Sequence, residues 1–239
     1  MAGIEHHPTP RGRVAKREAI LDAAMRVFVQ DGYPAAGIDR IASLAGVSKP
    51  TVYNHFDDKE ALFRTVMRDG ARLSASKIIG AFDALFGAAD DPAGRPDIAE
   101  QLTQVAYLVL DCQLSDEGWT LQRLLYAEAA RMPDLYDEIV GLGGLPVRNA
   151  LAGWLARLAT RGLLEIEDPE VAASHFMALI AGDLPSMSAL GTRPIGRDAL
   201  AAAVDAGVRT FLRAFAPRRR SRAAQIRPSA ASPRASAVG

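Results

Sequence analysis

The sequence predicts an all-helical protein of about nine helices, on three observations. Apolar residues recur three and four apart along much of the chain, as in Ile20, Leu21, Ala24, Val27 and Phe28, and again in Leu62, Phe63, Val66 and Met67. That period lays an apolar stripe along one helix face. Helix-starting residues stand just ahead of such stretches: Asp58, Asp97, Ser115 and Asp168, the last followed by a proline at the first helical position, where a missing N–H costs nothing. No stretch alternates convincingly with the two-residue period of a strand, and no segment repeats.

Taken in order, the first helix is expected over 14–31, ended by Gly32. Two short helices follow around Gly46. Ile38, Ile41, Ala42 and Ala45 make one face of the first apolar, and Gly46 suits the left-handed residue that closes a helix. Val47 plugs the turn, Ser48 caps the next helix, and Lys49 and Pro50 occupy its first turn. Val52 and Phe56, four apart, pack inward, which turns Pro50, Thr51, Tyr53 and Asn54 outward. A helix-turn-helix presents itself to the major groove in this way; an ordinary αα-hairpin accounts for the two helices alone equally well.

A fourth helix begins at Asp58 and runs to about 86, and a Gly-, Ala-, Asp- and Pro-rich loop fills 87–96. The fifth helix spans 97–111 and the sixth 115–131. The seventh spans 133–161, kinked or broken by Gly141, Gly143, Gly144 and Pro146. The eighth starts at Asp168 and weakens near Gly182 or Pro185, and the last spans 195–216. Residues 1–12 and 217–239 read as a disordered arm and tail by composition.

The 28 basic and 28 acidic residues cancel, but unevenly. The first 17 residues hold Arg11, Arg13, Lys16 and Arg17 against Glu5, and the tail holds Arg218, Arg219, Arg220, Arg222, Arg227 and Arg234 with no acid. Basic ends on an acidic body suit a protein that touches a polyanion with one region only. Cys112 is the single cysteine, so no intrachain disulfide forms, and it reads as a small buried apolar residue. The chain starts with polar residues, and no apolar run is long enough to span a bilayer, so a cytoplasmic protein is expected. No Cys/His spacing suits a metal and no phosphate loop follows a strand, so neither metal nor cofactor is expected. Ser174, His175 and Asp183 fall on different helix faces and make no hydrolytic set; the chain reads as a non-enzyme.

A longer signature surrounds the two short helices: Arg17-Glu18-Ala19-Ile20-Leu21-Asp22-Ala23-Ala24, then Phe28, Gly32-Tyr33, Ile41-Ala42, Ala45-Gly46-Val47-Ser48, Tyr53, His55-Phe56 and Lys59-Glu60-Ala61-Leu62. This stretch resembles the DNA-binding domain of the TetR family of transcriptional regulators. The chain departs from the family at two places. Ala36-Gly37 replaces the usual Thr or Ser before the first helix of the motif, and Pro50 replaces a usual glycine. Arg123-Leu124-Leu125, Glu128-Ala129, Pro133, Arg161-Gly162, Asp168-Pro169 and Phe176 are similar to the C-terminal domain of the AefR-like branch.

The resemblance implies a three-helix DNA-binding domain at 13–58 and a helical effector-binding and dimerisation domain at 59–216. Gly37, Ser48, Lys49, Pro50, Thr51, Tyr53, Asn54, His55 and Lys59 then become the expected DNA contacts. Lys49, Thr51 and Asn54 suit base edges; Tyr53, His55 and Lys59 suit phosphate. Tyr107, Trp119, Arg123, Tyr126, Trp154 and Phe176 are candidates for an effector pocket, with plain core packing as the alternative. Glu128 and Arg131 are expected to pair within the fold.

Leu200, Val204, Val208, Phe211 and Phe215 form one stripe on the last helix, with Ala201, Ala202 and Ala203 beside it. Together with His175 and Leu179 they are expected to form the homodimer interface, as a four-helix bundle with the last two helices of a second subunit. The functional expectation is a ligand-responsive repressor in the bacterial cytoplasm, nucleoid-associated when bound to DNA. It acts as a homodimer on palindromic double-stranded operator DNA and answers an unknown small-molecule effector. The alternative is a ligand-free dimer that organises DNA or recruits a protein.

Overall fold

Eleven helices and no strand make up the described residues, which in this computed structural model are 10–86 and 97–217. The loop expected at 87–96, nearly all of the arm and the tail beyond Pro217 lie outside them. The helices are α1 (Pro10–Ala35), α2 (Ile38–Leu44), α3 (Lys49–Tyr53), α4 (Lys59–Phe86), α5 (Ile98–Gln113), α6 (Asp116–Glu128), α7 (Pro133–Leu142), α8 (Gly144–Thr160), α9 (Pro169–Ala181), α10 (Leu184–Met187) and α11 (Arg197–Phe215). The expected seventh helix is two, α7 and α8, because the chain breaks at Gly143. A Cβ there would stand 3.3 Å from the Ile139 carbonyl and 3.5 Å from Ala71. The first helix begins at Pro10, earlier than expected. Gly32, at φ 73°, interrupts it where its end was expected, and one further turn follows.

The caps act as the sequence suggests. The carboxylates of Asp97 and Asp168 each accept two backbone N–H groups of the following helix, Ser115 accepts that of Gly118 at 3.0 Å, and Asp58 that of Ala61 at 2.7 Å. Each satisfies orphan donors and is worth about 1 kcal/mol.

Two apolar cores meet along α4. One gathers α1, α2, α3 and the first half of α4, and takes in Leu124 of α6 with Leu135 and Ile139 of α7. The other gathers the second half of α4 with α5, α8, α9, α10 and α11. The cores therefore part near Ala71–Ala75, within α4, rather than at the expected chain boundary between 58 and 59. Leu62, Phe63, Val66 and Met67 of α4 are buried among the N-terminal helices. Arg68 forks onto Glu138 at 2.6 and 2.8 Å, and Arg64 reaches Asp134 at 2.7 Å, tying α4 to α7. Each guanidinium holds its partner carboxyl below the usual carboxylate range, chiefly through the hydrogen bond.

Candidate nucleic-acid interface

The turn between α2 and α3 closes as its residues demand. Gly46 takes φ +64°, the Gly46 N–H donates to Ser43, and the Val47 N–H donates to Ala42 at 3.0 Å. Five residues are too few for a helix to persist alone, so α3 depends on its surroundings. Ser48 caps it by accepting the Thr51 N–H at 3.4 Å, and the two hydroxyls lie 2.8 Å apart. Val52 and Phe56, 1% and 6% exposed, anchor its inner side. Lys49, Pro50, Tyr53 and Asn54 are exposed, while Thr51 and His55 are half-buried. The Lys49 ammonium reaches back 3.0 Å to Asp39 of α2, an exposed ion pair of the kind that contributes little to stability. Gly37 caps α2 with its backbone alone, leaving the first-turn N–H groups of α2 without a side-chain partner.

Lys59 is placed otherwise than expected. Its ammonium donates to the carbonyls of Tyr33, Pro34 and Ala36 at 2.9, 3.0 and 3.1 Å and sits 4.8 Å from the Tyr33 ring centre. All three donors of a lysine are thereby spent. The side chain straps the end of α1 to the start of α4 and has no hydrogen left for a phosphate.

Three cations absent from the expected contacts stand near His55 and Phe56, just after α3. Arg13, Lys16 and Arg17 are exposed on α1. The Arg17 guanidinium stands 5.5 Å from the Phe56 ring centre. Burial first, and then the charges of Arg13, Arg17 and Lys16, hold the His55 imidazole below its ordinary value. The charge imbalance of the N-terminus was readable in the sequence; that α1 brings these cations near His55 and Phe56, just after α3, was not. Arg40 binds Asp31 and Gln30 of α1, locking α2 to α1.

The expected effector residues are dispersed. Trp154 and Phe176 are core, and Trp154 packs edge-on against Phe82. Trp119 is 4% exposed beneath Gly191, where a Cβ would stand 2.1 Å from the indole. Arg123 donates to the Leu190 carbonyl at 2.9 Å, so both residues brace the loop after α10. Tyr107 packs against the C-terminal core. Tyr126 lines a cavity of about 270 Å³ between α4, α6, α7 and α8. Glu128 is buried with Arg131 at 3.6 Å, as expected.

The expected dimer stripe also needs correcting. Val204, Val208 and Phe211 are at most 4% exposed within a single protomer, and Leu200 and Phe215 pack beside them. Phe211 meets Phe176 edge-to-face at 5.1 Å. Gly207 lets α11 press onto α9, since a Cβ there would stand 2.7 Å from the Leu179 carbonyl oxygen. Leu179 is half-buried in the same core, and of the expected set only His175 is exposed. The stripe serves the protomer's own core because α9 lies against it. Exposed residues of the two helices include Glu170, Val171, His175 and Ala178 of α9 and Ala202, Asp205, Ala206, Arg209 and Thr210 of α11.

Among the described residues, no three metal-ligating side chains gather in one place, and no helix is long and apolar enough to cross a membrane.

Residues 20–66 match the family model described as bacterial regulatory proteins, tetR family, and residues 100–217 match the C-terminal domain of AefR-like transcriptional repressors. A TetR-family transcriptional regulator of Mesorhizobium loti has a similar crystal structure. It shares 30% identity, with 85% of this chain and 98% of that one covered and a TM-score of 0.75. The flavonoid-responsive regulator FrrA is similar at 28% identity, over 85% of this chain and 98% of that one, with a TM-score of 0.65. The transcriptional repressor AcnR of Corynebacterium glutamicum is 33% identical over 168 residues, which is 64% of this chain and 88% of that protein.

Proposed function

The chain belongs to the TetR family of bacterial transcriptional regulators, and from that premise we propose that it works as a ligand-responsive repressor, a homodimer on a near-palindromic operator. DNA binding and transcription regulation come with the family; the sense of regulation, the ligand response and the dimer are the proposal.

The observation that carries it is α3: a helix pinned by Ser48, Val52 and Phe56, showing Lys49, Pro50, Tyr53 and Asn54 outward, with the cations of α1 near His55 and Phe56 at its end. Lys49 suits guanine O6/N7 and Asn54 suits adenine, while the methyl of Thr51 is near enough to the surface to meet thymine. Tyr53, His55, Arg13, Lys16 and Arg17 suit phosphates, which position the protein without reading sequence. One such helix reads too few base pairs for selectivity. A two-fold dimer places two of them about 34–36 Å apart, in successive major grooves.

The outward faces of α9 and α11 support a dimer there. Ala178, Ala202 and Ala206 permit close helix approach, and Val171 is 47% exposed. Ligand response is supported by similarity to a regulator described as flavonoid-responsive and by a cavity of the helical body, between α4, α6, α7 and α8. DNA and ligand oppose each other when they favour different separations of the two α3 helices.

The test has three parts: selection of binding sites from genomic DNA, sedimentation, and a reporter gene driven by the selected operator. A palindromic consensus, a particle of twice the 25.5 kDa chain mass and lowered reporter expression are expected. Raised expression would make the protein an activator, and a non-palindromic or absent consensus would favour a DNA-organising dimer.

A further inference from the structure

A second and larger cavity, of about 560 Å³, opens where α1 meets α4 and the corner between α5 and α6. It shares no residue with the expected effector set. Leu21 and Met25 of α1, Leu73 of α4 and Leu121 of α6 form apolar walls. Gly70 faces the same space, with the Leu121 methyl 3.0 Å from where its Cβ would be. The rim is acidic. α1 contributes Glu18 and Asp22, α4 contributes Asp69, and α6 contributes Asp116 and Glu117.

The one ammonium in the lining is Lys77, and it is held 2.9 Å from Glu117. Arg72 lies 4.0 Å from Asp69. Among the described residues, Glu18, Asp22 and Asp116 have no ion-pair partner. The positive end of α6 is already met by the Ser115 hydroxyl and by the two acids of its own first turn.

We propose that this junction cavity binds lipophilic organic cations, the apolar body against Leu21, Met25, Leu73 and Leu121 and the charge at Glu18, Asp22 and Asp116. The size falls within the range of small-molecule sites. Acids around the mouth of an apolar-walled cleft attract a cation and turn away an anion of the same shape. The inference rests on the proposed regulator for its consequence. α1 carries the cations near His55 and is locked to α2, whereas the α5–α6 corner, through Cys112, packs against the C-terminal core, so a ligand between them touches both cores.

The experiment is calorimetric titration of the full chain, without DNA, with tetraphenylphosphonium and with tetraphenylborate, which match in shape and differ in sign of charge. Tetraphenylphosphonium is expected to bind once per protomer, and tetraphenylborate at least about tenfold more weakly. The double variant Glu18→Gln/Asp22→Asn, with its melting temperature unchanged, is expected to lose about tenfold in tetraphenylphosphonium affinity. Cys112, the only cysteine, lines the cavity, so bound tetraphenylphosphonium should slow its alkylation by iodoacetamide. Equal binding of the two ions, undiminished binding by the double variant, or unprotected Cys112 would each overturn the proposal. Because no DNA is present, failure to find an operator would not mimic any of these results, and failure to bind the cation would leave operator binding untouched.

Discussion

Lys59 separates two accounts of the same residue. Its position at the start of α4 suits a phosphate contact, yet its three donors end on the carbonyls of Tyr33, Pro34 and Ala36. Lys59→Met keeps the apolar stem and removes the charge. Two of the three bonds are part-buried, to Tyr33 and Ala36, while Pro34 can be rehydrated. Bonds from a charged donor are worth about 1.5–3 kcal/mol each, and ordering a lysine costs about 1.5–2 kcal/mol. The net loss is about 2 kcal/mol. For a chain of this length that lowers the melting temperature by roughly 4–8 °C. The assay is thermal unfolding together with operator affinity across a salt series, both on the purified variant. The strap predicts a lowered melting temperature and an unaltered slope of log K against log salt. A phosphate contact predicts the reverse, a slope reduced by about 0.9 and little change in stability. An unchanged melting temperature with the reduced slope would refute the strap.

The remaining predictions concern the DNA face and the helix pair. Arg17→Ala should reduce the salt slope by about one unit whatever the DNA sequence, and Lys49→Ala should relax preference at one base pair of each half-site at about 1–3 kcal/mol; site selection on both variants checks them. His55 is held below its ordinary value near 6.5 by burial and by the cations of α1. Its stabilising contribution is therefore full above that value and declines as pH falls through it toward the lower folded value. Phosphates would offset those cations and favour the imidazolium, so operator affinity should rise from about pH 7.5 to about pH 5.5, and His55→Gln should flatten that profile; anisotropy titrations at several pH values decide it. Gly207→Ala should cost about 1–3 kcal/mol in urea unfolding because the new methyl meets the backbone of α9. Phe211→Glu should unfold the protomer, whereas Ala206→Glu on the outward face of α11 should give a folded monomer by sedimentation.

Local chemistry was legible from the chain alone. Asp97, Ser115 and Asp168 cap their helices, Gly46 turns where a left-handed residue is required, and Val52 and Phe56 point inward, because each depends only on neighbours within four positions. The stripe on α11 was legible as a stripe, and its partner was not. Spacing sets which residues share a face; it does not say whether α9 of the same chain or a second subunit covers that face. Lys59 met carbonyls some 25 positions earlier in the chain, Arg13, Lys16 and Arg17 came to rest beside His55, and Trp119 went under a turn beginning at Ala189. Each of these neighbourhoods exists only once helices distant in sequence have packed. The sequence alone determined most helix starts, the apolar faces and the turn between α2 and α3, and tertiary packing decided where helices broke and which of the exposed-looking charges and stripes remained free to meet another molecule.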